Sequence, residues 1–206
     1  MVDAEDSVAI KRCQQGDIDA LGILVARYQQ NALRLAFLLT GSQTLADDLV
    51  QEAFLAAYHA LPRFNLARPF APWFYRIVTN SARMRHRDSQ RRPAISLDVA
   101  LEDGAQKDLR QDPAAGPEEE LERDELRREV GKLLAQLTSA QREVIVLRYY
   151  YGFTDQEIAE IVGCQVPAAR QRLYGGLHAL KKLLSRQSSW LLDEASSRSL
   201  EAPDAT

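Results

Sequence analysis

Thr138-x-x-Gln141 and Thr154-x-x-Glu157 are capping boxes, each a hydroxyl followed by an amide or carboxylate at the spacing that satisfies the first free N–H groups of a helix. With the glycines and proline around them they narrow how residues 138–184 can fold. The first box opens a helix with Val144, Ile145 and Leu147 inside, and Gly152 can supply a left-handed stop. The second opens a short helix through Ile158, Ala159, Ile161 and Val162. Gly163 then permits a sharp turn, and Pro167 suits the start of another helix. This order predicts a helix-turn-helix over 154–184. On its last helix Ala169, Leu173, Leu177, Leu180 and Leu184 form the stripe expected to be buried. Gln171, His178 and Lys182 point away from it, with Arg170 and Arg172 on its flanks.

In such a motif the second helix sends its N-terminal side chains to base edges in the major groove, while Arg and Lys neutralise phosphates. Gln171 has the amide geometry to read adenine with two hydrogen bonds. The competing reading is a plain helical hairpin whose charges form a solvated face. Two capping boxes, the Gly163 turn and the Pro167 start together weigh against it.

The remaining periodicity is helical throughout, with no alternation of apolar and polar residues that would argue for a sheet, so the chain reads as all-α. Asp17 can cap a helix carrying Leu21, Leu24, Val25, Tyr28, Leu35, Leu38 and Leu39, which stops at Thr40-Gly41-Ser42. Thr44-x-x-Asp47 reads as a variant capping box for the next helix, with Ala46, Leu49, Val50, Ala53 and Ala57 on one side. Pro72 suits a first helical position, and Trp73, Ile77, Asn80 and Met84 follow at helical spacing. Over 93–117 the pattern gives way to Pro, Gly, Asp and Gln, which predicts a linker. Leu126, Val130, Leu133 and Leu137 then resume a stripe. The expected organisation is a first helical domain over 1–92, a flexible acidic linker over 93–117, a second helical domain with the helix-turn-helix over 118–186, and a polar tail over 187–206.

A net charge of -3 conceals opposed blocks. Residues 63–92 hold eight arginines against one aspartate, a balance of +7, whereas 98–125 sum to -8 and 126–186 to +5. Two basic regions therefore flank an acidic one. In the first of them Arg63-Phe64 and Pro72-Trp73-Phe74-Tyr75-Arg76 interleave aromatics with arginines, the combination that stacks bases and tracks phosphates of a single strand. For any one of these aromatics the competing reading is an ordinary core residue.

Cys13 and Cys164 are far apart and outside any C-x-x-C spacing, which gives no support to a disulfide framework or a zinc site. His59, His86 and His178 share no ligand spacing, and no nucleophile and base are set on a recognisable catalytic scaffold. No enzymatic activity, metal or cofactor is expected. No leader is visible over 1–10, and no apolar run approaches the roughly 18 residues of a membrane span, so a cytoplasmic protein is expected.

Asp47-Asp48-Leu49-Val50-Gln51-Glu52-Ala53-Phe54, Tyr58-His59-Ala60-Leu61-Pro62-Arg63-Phe64 and Trp73-Phe74-Tyr75-Arg76-Ile77 with Asn80 resemble the second region of bacterial extracytoplasmic-function (ECF) sigma factors. Gln141-Arg142-Glu143-Val144-Ile145, Tyr149-Tyr150-Tyr151-Gly152-Phe153-Thr154-Asp155-Gln156-Glu157-Ile158-Ala159 and Arg172-Leu173 resemble their fourth. The resemblance implies a transcription initiation factor. Asp47, Asp48, Leu49, Gln51, Glu52 and Phe54 would bind core RNA polymerase. Arg63, Phe64, Trp73, Tyr75, Arg76, Asn80 and Arg83 would meet the minus-ten element as it melts. Thr154, Gln165, Ala168, Arg170, Gln171, Arg172 and Lys181 would meet the minus-thirty-five element. It also implies an anti-sigma factor as regulatory partner, and a linker that approaches the polymerase active site; a merely solvated tether is an equal reading of that linker.

The recognition helix departs from the family pattern. Pro167-Ala168-Ala169-Arg170-Gln171-Arg172-Leu173 lacks a hydroxyl common there, Val166 is a poor cap, and Gly175-Gly176 removes a phosphate contact at a cost of about 1 kcal/mol of helix stability per glycine. Two other readings are a stand-alone helix-turn-helix repressor that ignores polymerase, and an interaction protein that has lost promoter reading. The repressor reading lacks a heptad seam or other dimer element.

Overall fold

The computed structural model describes residues 3–91 and 117–200, with side chains described over 3–87, at 125 and 126, and over 128–186. Every regular element among these residues is helical. The first half holds α1 (Ala4–Gln14), α2 (Asp19–Thr40), α3 (Gln43–Ala60), a 3-10 turn (Leu61–Arg63) and α4 (Phe70–Arg91). The second holds α5 (Pro117–Ala135), α6 (Ser139–Tyr149), α7 (Asp155–Val162) and α8 (Val166–Leu200).

α1 was not expected, although Ala9, Ile10 and Cys13 stand at helical spacing and are buried. Its N-terminus is capped by the Asp3 carboxylate, which accepts from the N–H groups of Glu5 and Asp6, and it is fastened to α2 through a buried carboxylate. Asp6 accepts from Arg27 Nη1 at 2.8 Å and from the Tyr28 hydroxyl at 2.5 Å, so both its oxygens keep partners after losing water. From the end of α1, Gln14 Nε2 donates to the carbonyls of Leu61 and Phe64, each at 3.0 Å.

The Asp17 carboxylate receives the Ala20 N–H at 3.3 Å near the start of α2, as its position suggests, and Gly41 ends that helix at φ 75°. The cap of α3 is Ser42, which accepts from the Leu45 N–H, and not Thr44, which already lies in the first helical turn. The stripe Ala46, Leu49, Val50, Ala53 and Ala57 is buried as expected and packs on α2 and α4. α4 begins two residues before Pro72, so the proline sits within the first turn, where its missing N–H costs no hydrogen bond.

Both capping boxes of the second half form. Thr138 and Gln141 exchange bonds at the head of α6, as do Thr154 and Glu157 at the head of α7. Gly152 and Gly163 adopt φ of 67° and 69°, a region that side chains avoid. α8 starts at Val166, which makes that residue helical and not a cap, and it runs past the end expected at 186 because neither Gly nor Pro intervenes between Leu177 and Pro203. Two stripe positions differ from expectation. Leu126 and Leu184 are exposed, since α5 meets the core only from Val130 onward, with Leu134 and, just past its end, Leu137, and α8 leaves it beyond Leu180.

Gly176 has a packing role that the sequence concealed. A Cβ there would stand 2.6 Å from Ile145 Cδ1 and 3.3 Å from Gln141 Cβ, so its absence lets α8 lie close on α6. Gly175 has room, the nearest atom being Gln141 Nε2 at 3.4 Å.

The two helical regions share one apolar core. α4 lies on α7, and α2 touches α6. Arg83 of α4 grips Glu143 of α6 through Nε, at 2.7 and 2.9 Å from the two carboxylate oxygens, and through Nη2 at 2.5 Å. Its Nη1 donates to the Val162 carbonyl at 3.0 Å. Arg142 caps the C-termini of α5 and α2 together, donating to the carbonyls of Leu134, Ala135, Leu137 and Leu39. The Tyr151 hydroxyl donates to the Asn31 carbonyl at 2.6 Å. The linker expected over 93–117 lies outside the described residues apart from Pro117, where α5 begins.

Candidate nucleic-acid interface

Three helix ends meet beside the turn of the motif: the C-terminus of α6 and the N-termini of α7 and α8. They frame an open depression lined by Arg148, Thr154, Asp155, Gln156, Val166 and Arg170. Asp155 sits among the arginines. Its Oδ2 is 2.6 Å from Arg170 Nε and its Oδ1 3.9 Å from Arg148 Nη1, while Arg148 Nη1 also donates to the Phe153 carbonyl at 3.0 Å. From Arg170 onward along α8, Gln171, Tyr174, His178, Lys181 and Lys182 are also exposed. This is a cationic, hydrogen-bonding helix face of the kind that enters a major groove.

On the first half, the aromatic residues form a ladder. Phe64, Phe70 and Trp73 meet at centroid distances of 4.8 to 5.9 Å, and Phe70 stacks on Phe74 at 5.6 Å. Phe64, Phe70, Phe74 and Tyr75 are buried, whereas Trp73 is half-buried. Tyr75 turns to the other half, with Tyr151 at 5.2 Å and Phe153 at 5.7 Å. Burial pushes the Tyr75 hydroxyl well above the usual phenol range, so it is neutral at any working pH.

Residues 24–92 match the Sigma-70 region 2 family and residues 127–183 match Sigma-70, region 4. RNA polymerase sigma-H factor of Pseudomonas aeruginosa is 33% identical over 187 residues, 87% of this chain and 94% of that one. ECF RNA polymerase sigma-E factor of Escherichia coli K12 is 34% identical over 181 residues, 85% of this chain and 92% of that one. The chain belongs to the ECF RNA polymerase sigma factors. Among solved structures, CnrH in complex with the cytosolic domain of CnrY aligns with a TM-score of 0.65 at 30% identity, covering 89% of this sigma factor and 99% of that chain.

The structure divides the residues singled out in this sigma factor. On α3, Asp48, Gln51 and Glu52 are exposed and Asp47 is half-buried, but Leu49 and Phe54 point into the core and offer no surface to a partner. Glu52 is paired with Arg85 across α3 and α4. Arg63, Arg76 and Asn80 are exposed and Trp73 is half-buried, while Phe64 and Tyr75 are core residues and Arg83 is engaged by Glu143. In the helix-turn-helix Gln165, Arg170, Gln171 and Lys181 are exposed, and Ala168 and Arg172 half-buried. Thr154 is exposed too, but its hydroxyl is occupied by the capping box. Tyr174, Arg148 and Asp155 were missed. Tyr174 lies one turn after Arg170 on the same face and was open to a helical-wheel argument. The role of Asp155 depends on a contact fifteen residues away along the chain, which no local pattern encodes.

Proposed function

We propose that the first half of this sigma factor, 1–92, binds core RNA polymerase through the exposed acidic and amide side chains of α3 and opens the minus-ten element with the basic, aromatic start of α4. The second half, 118–186, reads the minus-thirty-five element with α8. The protein works in the cytoplasm, contributes no catalytic group of its own, and is restrained by an anti-sigma factor. Control by a bound protein partner is supported by CnrH, solved in complex with the cytosolic domain of CnrY. Among the described residues no helix is long and apolar enough to cross a membrane.

The observation that carries this reading is the pairing, on one chain, of an exposed cationic face at a helix-turn-helix with a second arginine-rich helix that presents Trp73. A duplex reader needs only the first. The test is reconstituted transcription: core polymerase with this protein yields promoter-specific transcript that core alone does not. Trp73→Ala is expected to impair strand opening and leave minus-thirty-five duplex binding intact. Absence of any gain over core alone would overturn the reading.

A further inference from the structure

The depression at the head of the helix-turn-helix contains a carboxylate where a DNA-binding face is expected to be purely cationic. Asp155 is the first residue of α7, and the Thr154–Glu157 box fixes the backbone that carries it. An acid there suits the helix dipole, but that explains only its presence on α7 and not the direction of its side chain. The side chain reaches across to α8. Oδ2 accepts from Arg170 Nε at 2.6 Å, while Oδ1 faces Arg148, itself held by the Phe153 carbonyl. The Asp155 side chain is 25% exposed and that of Arg170 59%, so the arginine forms the outer member of the pair.

We propose that Asp155 is a positioning residue for base reading: it locks the Arg170 guanidinium in one orientation and thereby sets the sequence preference of α8 at one base pair. The bond uses Nε and leaves the N–H groups of the two terminal nitrogens for a base edge. Those groups match the two acceptors, O6 and N7, that guanine presents in the major groove. A free arginine side chain must give up rotamer entropy to make such a contact, and one already held surrenders less. Arg148 offsets the carboxylate so that the site remains attractive to phosphates overall. This inference rests on the DNA-reading role of α8 proposed above.

The test assembles the full-length protein with core polymerase and selects bound promoters from a library randomised in the upstream element, for wild type, Arg170→Ala, Asp155→Ala, Asp155→Asn and the double alanine variant. Wild type is expected to favour one base pair by about tenfold or more at a position where Arg170→Ala shows no preference. Asp155→Ala should lose most of that preference with the rest of the element unchanged, Asp155→Asn should keep part of it through its remaining acceptor, and the double variant should be no worse than Arg170→Ala. A simple structural role for Asp155 would lower affinity at all positions together with thermal stability. If Asp155→Ala keeps the wild-type preference, or raises affinity evenly by removing a repelling charge, the inference is overturned. If Arg170→Ala changes no base preference, the reading role of Arg170 fails first and the inference falls with it.

Discussion

Gly175 and Gly176 are neighbours on α8 with opposite meanings. At Gly175 an added methyl makes ordinary contacts, so Gly175→Ala gains helix propensity at no steric cost. It is expected to raise stability by about 0.5 to 1 kcal/mol, visible as a higher unfolding midpoint. At Gly176 the same propensity gain is set against Ile145 and Gln141 of α6, and a larger side chain cannot be housed. Gly176→Leu is expected to cost about 1 to 3 kcal/mol by separating α6 from α8, with loss of duplex binding at temperatures where Gly175→Ala still binds. The pair, read from sequence as two losses to the recognition helix, is therefore one dispensable glycine and one that sets how closely α8 approaches α6.

At the scale of elements, much of the fold was legible because each helix carries its own signals. Both capping boxes of the second half, the left-handed Gly41, Gly152 and Gly163, and the α3 stripe lie where the sequence puts them. α1 was harder to read: Ala9, Ile10 and Cys13 form only a short buried stripe, and its remaining position is an acid, Asp6, whose burial depends on Arg27 and Tyr28 of another helix. The candidate site was read less well for a related reason. An aromatic among arginines has the same spelling whether it stacks on a base or on Phe70, and only packing separates exposed Arg63 from buried Phe64. α1 also has an indirect task. Gln14 ties the carbonyls of Leu61 and Phe64, which shape the turn that presents Arg63. Gln14→Ala leaves two half-buried carbonyls without this donor and is expected to cost about 1 to 3 kcal/mol. Binding of a minus-ten single strand should weaken, while minus-thirty-five duplex binding, measured in parallel, should not.

At the scale of the molecule, the two halves are in contact through the same α4 face that promoter melting would use. Arg83 cannot hold Glu143 and a phosphate at once, so minus-ten engagement through Arg83 requires the halves to part. Glu143→Gln removes the charge and keeps the shape. It is expected to weaken the contact by about 1 to 3 kcal/mol and to lengthen the mean distance between dyes on α3 and α8. An unchanged distance would show that the Tyr75–Tyr151–Phe153 cluster and Arg142 hold the halves without the ion pair.

Because one chain carries both halves, their meeting is unimolecular. The fraction of molecules with the halves together is therefore independent of how much protein a cell makes, and raising expression multiplies both arrangements equally. Only a ligand that prefers one arrangement can shift the ratio, by no more than its difference in affinity for the two. Minus-ten engagement through Arg83 would draw it one way, and any partner that clasps both halves would draw it the other.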